Sequence, residues 1–170
     1  MELWDVYDCD RRPTGHVLPR GEAHDPSLCQ VVIHVCLFND KGQLLIQQRS
    51  MRKAGYPGHW DFSVGGGVLA GETVREAAMR EVREELGIDV VIKETAAVTL
   101  AFPGGFDDYF LLDWNGGICD LTPDPEEVMD VRWASCEEIL AMLENNTFAP
   151  FWPSFVRLLF DLHRHIGLSK

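Results

Sequence analysis

The segment from Thr73 to Gly87 constrains this chain most, because it carries helix start and stop signals and also places acid on the helix's apolar side. Thr73 and Glu76 have capping-box spacing, and Gly87 stands where a left-handed C-cap belongs. A helix is therefore predicted from Val74 to Leu86. At ~100° per residue, Val74, Ala77, Ala78, Val82 and Leu86 form one apolar sector that should face a core. Glu76, Arg80 and Arg83 fall opposite it. Glu81 and Glu85 fall inside the apolar sector, on either side of Val74's direction, and Glu84 borders it.

Two readings of that pattern stand side by side. Charge runs such as Arg80-Glu81-Val82-Arg83-Glu84-Glu85 are commonly solvated faces, with the acids paired to Arg75, Arg80 and Arg83. Alternatively, a divalent cation sits against the acids. Burying carboxylates without a partner is costly and adjacent ones repel. Three carboxylates at i, i+3 and i+4 converge on one face and offer hard oxygen ligands suited to magnesium or manganese. Magnesium keeps several waters and pairs readily with phosphate, which favours a phosphate site. Periodicity alone does not choose between the two.

The helix is preceded by a glycine-rich stretch from Lys53 to Gly71, which reads as loops and tight turns that let backbone approach a ligand closely. Leu3 to Tyr7 reads as a short extended piece, followed by a turn-rich loop around Arg12-Pro13-Thr14-Gly15 and a polar loop from Pro19 to Ser27. Val31 to Phe38 reads as a central strand buried on both faces, hairpinned through Asn39-Asp40-Lys41-Gly42 to Gln43–Gln48. His34, inside the first of these, reads as a packed, hydrogen-bonded core histidine. Further strands are predicted at Val90–Leu100, Asp107–Trp114 and near Val128–Trp133, and helices at Cys136–Glu144 and Pro153–His165. His163 and His165 do not share a helical face and read as surface residues. Strands mixed with helices and short returns give an α/β (α+β) layered fold in a single domain over 1–170.

Composition bounds the partners. The formal charge of −12 argues against nucleic acid, whose binders carry a basic face. The five cysteines are odd in number and form no CxxC pair, so reduced thiols in a cytoplasmic protein are expected. The N-terminus has no signal-peptide pattern, and no apolar run approaches the ~20 residues of a membrane span. The aromatic segment Phe148 to Phe155 closes the core or, in the second reading, forms a homodimer interface.

The spacing Gly66-x5-Glu72-x7-Arg80-Glu81-Val82-x-Glu84-Glu85-x-Gly87-Ile88 resembles the Nudix box, G-x5-E-x7-R-E-U-x-E-E-x-G-U with U aliphatic, and matches every fixed position over residues 66–88. Outside the box, Trp4 to Asp8, Gln47-Gln48-Arg49, Tyr56 to Asp61 and Glu126-Glu127-Val128 with Trp133 look like Nudix proteins related to isopentenyl-diphosphate isomerase. The resemblance implies the Nudix fold, an α/β/α sandwich with a mixed central sheet, and hydrolysis of a small-molecule diphosphate with magnesium or manganese. It also implies metal ligation by Glu81, Glu84, Glu85 and the carbonyl of Gly65, and an orienting pair of Glu72 and Arg80. A base from beyond the box would be Glu127, with Glu126 and Asp107 behind it. Arg49, Arg52 and the backbone at Gly66 are the expected contacts to substrate phosphate.

The isomerase itself needs a cysteine and histidines. Their places fall at Gly65, Gly67 and Gln30, with Pro125 beside Glu127 and His24 matching one remaining histidine. Glycine supplies neither thiol nor imidazole, so the resemblance implies hydrolysis rather than isomerisation. A non-catalytic nucleotide-binding Nudix domain is the other alternative, and it would be marked by lost box glutamates, of which none is lost.

Overall fold

Alternation along the strand Gln30–Phe38 organises the molecule, because it sends two sets of side chains to opposite faces of one sheet. The computed structural model describes residues 2–21 and 27–165; His24 lies outside them. Strands β1 (Leu3–Tyr7) and β2 (Pro13–Pro19) pair antiparallel as a separate two-stranded sheet. The main, seven-stranded sheet is built from β3 (Gln30–Phe38), β4 (Leu44–Arg49), β5 (Trp60–Asp61), β6 (Val64–Gly67), β7 (Val98–Phe102), β8 (Gly105–Asp113) and β9 (Val128–Ala134). Its central pair, β3 with β8, is parallel from Gln30↔Gly105 to Phe38↔Asp113, while its other pairings are antiparallel. The sheet is mixed, as expected.

Helix α1 (Val74–Leu86) covers one face, packing Ala77, Ala78, Val82 and Leu86 on Val31, Ile33, Val35 and Leu37 of β3. Helices α2 (Cys136–Glu144) and α3 (Pro153–Arg164) cover the other, where Cys36 and Phe38 meet Ile139, Val156, Leu159 and Phe160. The result is the expected α/β/α sandwich.

Where β3 ends and β4 begins they touch at a single register point, Phe38↔Leu44, and away from it they diverge. Beyond it β6 takes over the edge of β3, from Val35↔Val64 to Val32↔Gly67. The buried Ser63 hydroxyl bridges the split, accepting from Leu37 N at 2.9 Å and donating to Leu45 O at 2.6 Å. The predicted hairpin is thus a fork, and the fork is where the site forms.

Other expectations need correction. The segment read as a turn-rich loop near Thr14 is strand β2 in part, held by hydrogen bonding to β1. Part of the glycine-rich stretch is strand β6, because glycine lets both α1 and the opposite face approach the ladder closely. The strand predicted over Val90–Leu100 begins only at Val98. His163 is not a surface residue: it stacks on Phe38 with ring centroids 4.0 Å apart and bonds Asp113 at 2.8 Å. All five cysteines are free thiols.

Candidate active site

Helix α1 is anchored at both ends before it presents any chemistry. Thr73 Oγ1 accepts from Glu76 N at 3.2 Å while Glu76 accepts from Thr73 N at 2.8 Å, which completes the capping box. Gly87 closes the helix at φ 70°, donating its N–H to Arg83 O. The last carbonyls are then met from outside: Thr122 N donates to Leu86 O and Asp124 N to Glu85 O. Those two bonds dock the 122–127 loop on the helix end, and Ser50 N donates to Glu127 O at 2.8 Å, so Glu127 is held beside the box glutamates.

Arg80 sits among the acids rather than opposite them. Its long side chain turns back along the helix, so the direction of its Cα on a wheel misplaces its charge. Nε and Nη2 bond Glu72 at 2.7 and 3.0 Å, Nη2 also reaches Gly67 O at 3.0 Å, and Nη1 bonds Glu81 at 2.8 Å and Glu84 at 3.0 Å. Those contacts engage the whole guanidinium fork. Glu72 also accepts from Leu69 N at 3.0 Å, so the pair ties the loop to the helix. Burial works against the Glu72 carboxylate, but Arg80 and the Leu69 amide together hold its pKa below the usual value.

Glu85 is 4% exposed, and Gln47 Nε2 donates to it at 2.8 Å. Burial, reinforced by repulsion from Glu81 and Glu127 and opposed by Gln47 and Lys53, pushes its pKa up to about 8. Glu81 is raised as well, by burial first, against the pull of Arg80. Gly66 is the floor under Glu81: a Cβ there would lie 2.1 Å from its Cδ and Oε1. Glu84 is the open member, its side chain 58% exposed.

Glu81, Glu84, Glu85 and Glu127 line one pocket of about 170 Å3 together with Glu2, Asp124, Gly65, Gly66, Arg20 and Lys53. Carboxylates outnumber basic groups there, so a hard cation fits the donor set. The expected convergence is not preformed. Among the described residues no three acidic, histidine or cysteine side chains are gathered closely enough to hold one ion. The physical reason is that Arg80 holds Glu81 and Glu84 while Gln47 holds Glu85.

The remaining predicted residues are dispersed. Glu126 is turned outward onto Arg52. Arg49 bonds Asp61 at 3.0 Å and lines a different cleft, with His34 and Phe151. Asp107 lies at the other face of the sheet, where its Oδ2 accepts from Tyr109 Oη at 2.7 Å. Sequence reasoning missed Lys53, which pairs with Glu127, and Arg20, which stacks over the Trp4 ring at 5.7 Å. No local pattern marks either, since both reach the pocket through loop placement; Lys53 was legible only as a cation next to Arg52.

The NUDIX-domain family model matches residues 29–155. The chain belongs to the Nudix family. Hydrolases of this family generally use divalent metal ions, and the chain is by class a pyrophosphohydrolase. An uncharacterized Nudix hydrolase of Listeria monocytogenes is 44% identical over 163 residues, covering 95% of both chains. A Deinococcus radiodurans crystal structure shares the fold with TM-score 0.78 at 24% identity, over 93% of this chain and 99% of the other.

The isopentenyl-diphosphate Δ-isomerase of Salmonella arizonae is also similar, 35% identical over 149 residues, or 79% of this chain and 78% of the other. In this Nudix protein the two glycines at issue are packed rather than merely small. A Cβ on Gly65 would lie 2.9 Å from His34 Nδ1, and one on Gly67 would lie 2.3 Å from the Trp4 ring. His34 and Trp4 occupy the space that larger side chains would need.

Proposed function

We propose that this Nudix protein hydrolyses the diphosphate linkage of a nucleoside diphosphate derivative or related organic diphosphate, with magnesium or manganese as cofactor, in the cytoplasm. The observation that carries the reading is the pocket that Glu81, Glu84, Glu85 and Glu127 line, where acidic side chains outnumber basic ones. Glu81, Glu84, Glu85 and the carbonyl of Gly65 would hold the divalent ion. Bound there, it supplies charge neutralisation for the diphosphate and Lewis acidity toward the attacking water.

The chain's own groups do the rest. Arg80 and Glu72 hold loop and helix in register, and the Gly66 backbone lets the diphosphate approach the glutamates. Lys53 and Arg20 supply positive charge at the rim, in the place expected for Arg49 and Arg52. Glu127 takes the proton of water as its oxygen attacks phosphorus, and the bridging P–O bond breaks to leave two phosphate-bearing fragments. Of the three base candidates, Glu127 alone lines this pocket.

The test is a magnesium-dependent hydrolysis screen over dinucleoside polyphosphates, nucleotide sugars, nucleoside triphosphates and prenyl diphosphates. Glu84→Gln and Glu85→Gln should each lose at least about a hundredfold in rate, from removal of a metal ligand. Glu127→Gln should slow turnover while leaving magnesium affinity nearly unchanged. Near-wild-type turnover in both box variants, or robust isomerisation of isopentenyl diphosphate, refutes the assignment.

A further inference from the structure

We propose that the cleft between β7–β8 and the 150–158 segment seats the leaving group, and that Asp107, backed by His34 and Tyr109, selects a nucleobase bearing an exocyclic amino group. This rests on the hydrolase reading above and names its substrate class.

The cleft has a volume of about 670 Å3 and is walled by Leu100, Phe102, Tyr109, Phe151 and Phe155, with Asp107 as its acidic member. That volume suits a nucleoside and is generous for a five-carbon prenyl chain. Leu100, Phe102 and Trp152 are 39%, 43% and 80% exposed along it, so apolar and aromatic surface is held open to solvent where a planar ring can stack.

The polar wall is under-satisfied in a specific way. Asp107 Oδ2 accepts from Tyr109 Oη, but Oδ1 is buried without a hydrogen bond, with the His34 ring nitrogen Nε2 3.5 Å away. His34 is held flat on the Tyr109 ring, centroids 4.8 Å apart and planes 10° from parallel, and its Nδ1 also lacks a partner. Buried polar atoms left unpaired are rare, and each calls for an explanation; here the proposal supplies one, a donor on the bound ligand. A carboxylate only accepts, so the missing group is a donor: the amino edge of adenine or cytosine satisfies it, whereas hypoxanthine and uracil present a carbonyl there. A prenyl chain would leave the acid unpaired.

Gly65 lies between the carboxylate pocket and the polar wall of the cleft. That residue lines the carboxylate pocket, and its missing Cβ leaves it against His34, which in turn faces Asp107. The hydrolytic glutamates and the base-reading acid therefore lie on either side of one glycine.

Calorimetry at pH 8 on the full chain, with nucleoside monophosphates as non-hydrolysed probes, tests this independently of turnover. AMP should bind at least about tenfold tighter than IMP, and CMP than UMP, and isopentenyl monophosphate should bind more weakly than any of them. Asp107→Asn should erase the amino-over-carbonyl preference. In turnover of an adenosine-diphosphate-linked substrate it should raise KM at least about tenfold, with kcat within about threefold. Leu100→Trp, on an exposed edge strand that tolerates bulk, should weaken AMP at least about tenfold by filling the cleft. Equal affinity for AMP and IMP, an unchanged preference in Asp107→Asn, or full AMP affinity in Leu100→Trp each overturns the assignment. AMP selectivity without any diphosphate hydrolysis would instead uphold the cleft and remove the hydrolase reading.

Discussion

Gly66 leaves no room for a side chain, because the glutamate above it already occupies the position a Cβ would take. The Cβ of an alanine would meet Glu81 Cδ at 2.1 Å, so the carboxylate must swing away from the pocket or β6 must move off α1. Gly66→Ala is expected to weaken magnesium binding and lower kcat/KM at least about tenfold, since a misplaced ligand loses transition-state stabilisation. Wild-type activity in that variant would mean that Glu81's position is immaterial. The same close approach explains what the sequence could and could not disclose here. The box spacing names Glu81, Glu84 and Glu85, and a wheel puts Glu85 on the buried side because backbone direction suffices for a short reach. Arg80 defeated the wheel because a long side chain relocates its charge by a helical turn. Lys53 and Arg20 were invisible because the pocket they enter is made by loops far apart in sequence.

Helix α1 combines a strong local code with a tertiary dependence. Its bounds, Val74–Leu86, follow from Thr73, Glu76 and Gly87 and agree with the structure, because caps act on backbone groups within one turn. Strand ends were less legible. The 88–97 segment holds Val90 and Val91 in a β-branched run, yet lies outside any ladder until Val98 pairs with Tyr109. Strands β5 and β6 escaped notice because a two-residue bridge and a run of three glycines carry no alternation, and their existence depends on partners in β4 and β3. Since capping is local, Thr73→Ala should cost about 1 kcal/mol in denaturant unfolding and leave metal affinity within about twofold. A loss of magnesium binding out of proportion to stability would show that the cap also positions the ligands.

At the scale of the whole molecule, part of a net charge of −12 is gathered where burial already disfavours it, which couples folding to pH and, on the proposed function, to cation. The Glu85 carboxyl is pushed up to about 8 by burial and by Glu81, and Glu81 itself is raised. A carboxyl whose pKa rises on folding favours the protonated native state, so its contribution is complete below the unfolded value of about 4.3 and is lost as pH climbs toward 8. Glu72 runs the other way, but its lowered pKa acts at the acid end, below the unfolded value, and does not mask the trend. The chelator-treated protein should therefore melt at progressively lower temperature from pH 5 to pH 8.5, and Glu85→Gln should flatten that slope. Under the proposed assignment magnesium takes the deprotonated glutamates as ligands, so its stabilisation should grow over the same interval. At a hundred times Kd it amounts to about 2.7 kcal/mol, or roughly 5–10 °C for a domain of this size. A melting temperature indifferent to pH in chelator, together with a magnesium shift no larger at pH 8 than at pH 5, would break the link between buried box glutamates and cation binding. The composition gave the sign of the charge, but only the packing of α1 on β6 tells which of the acids feel it.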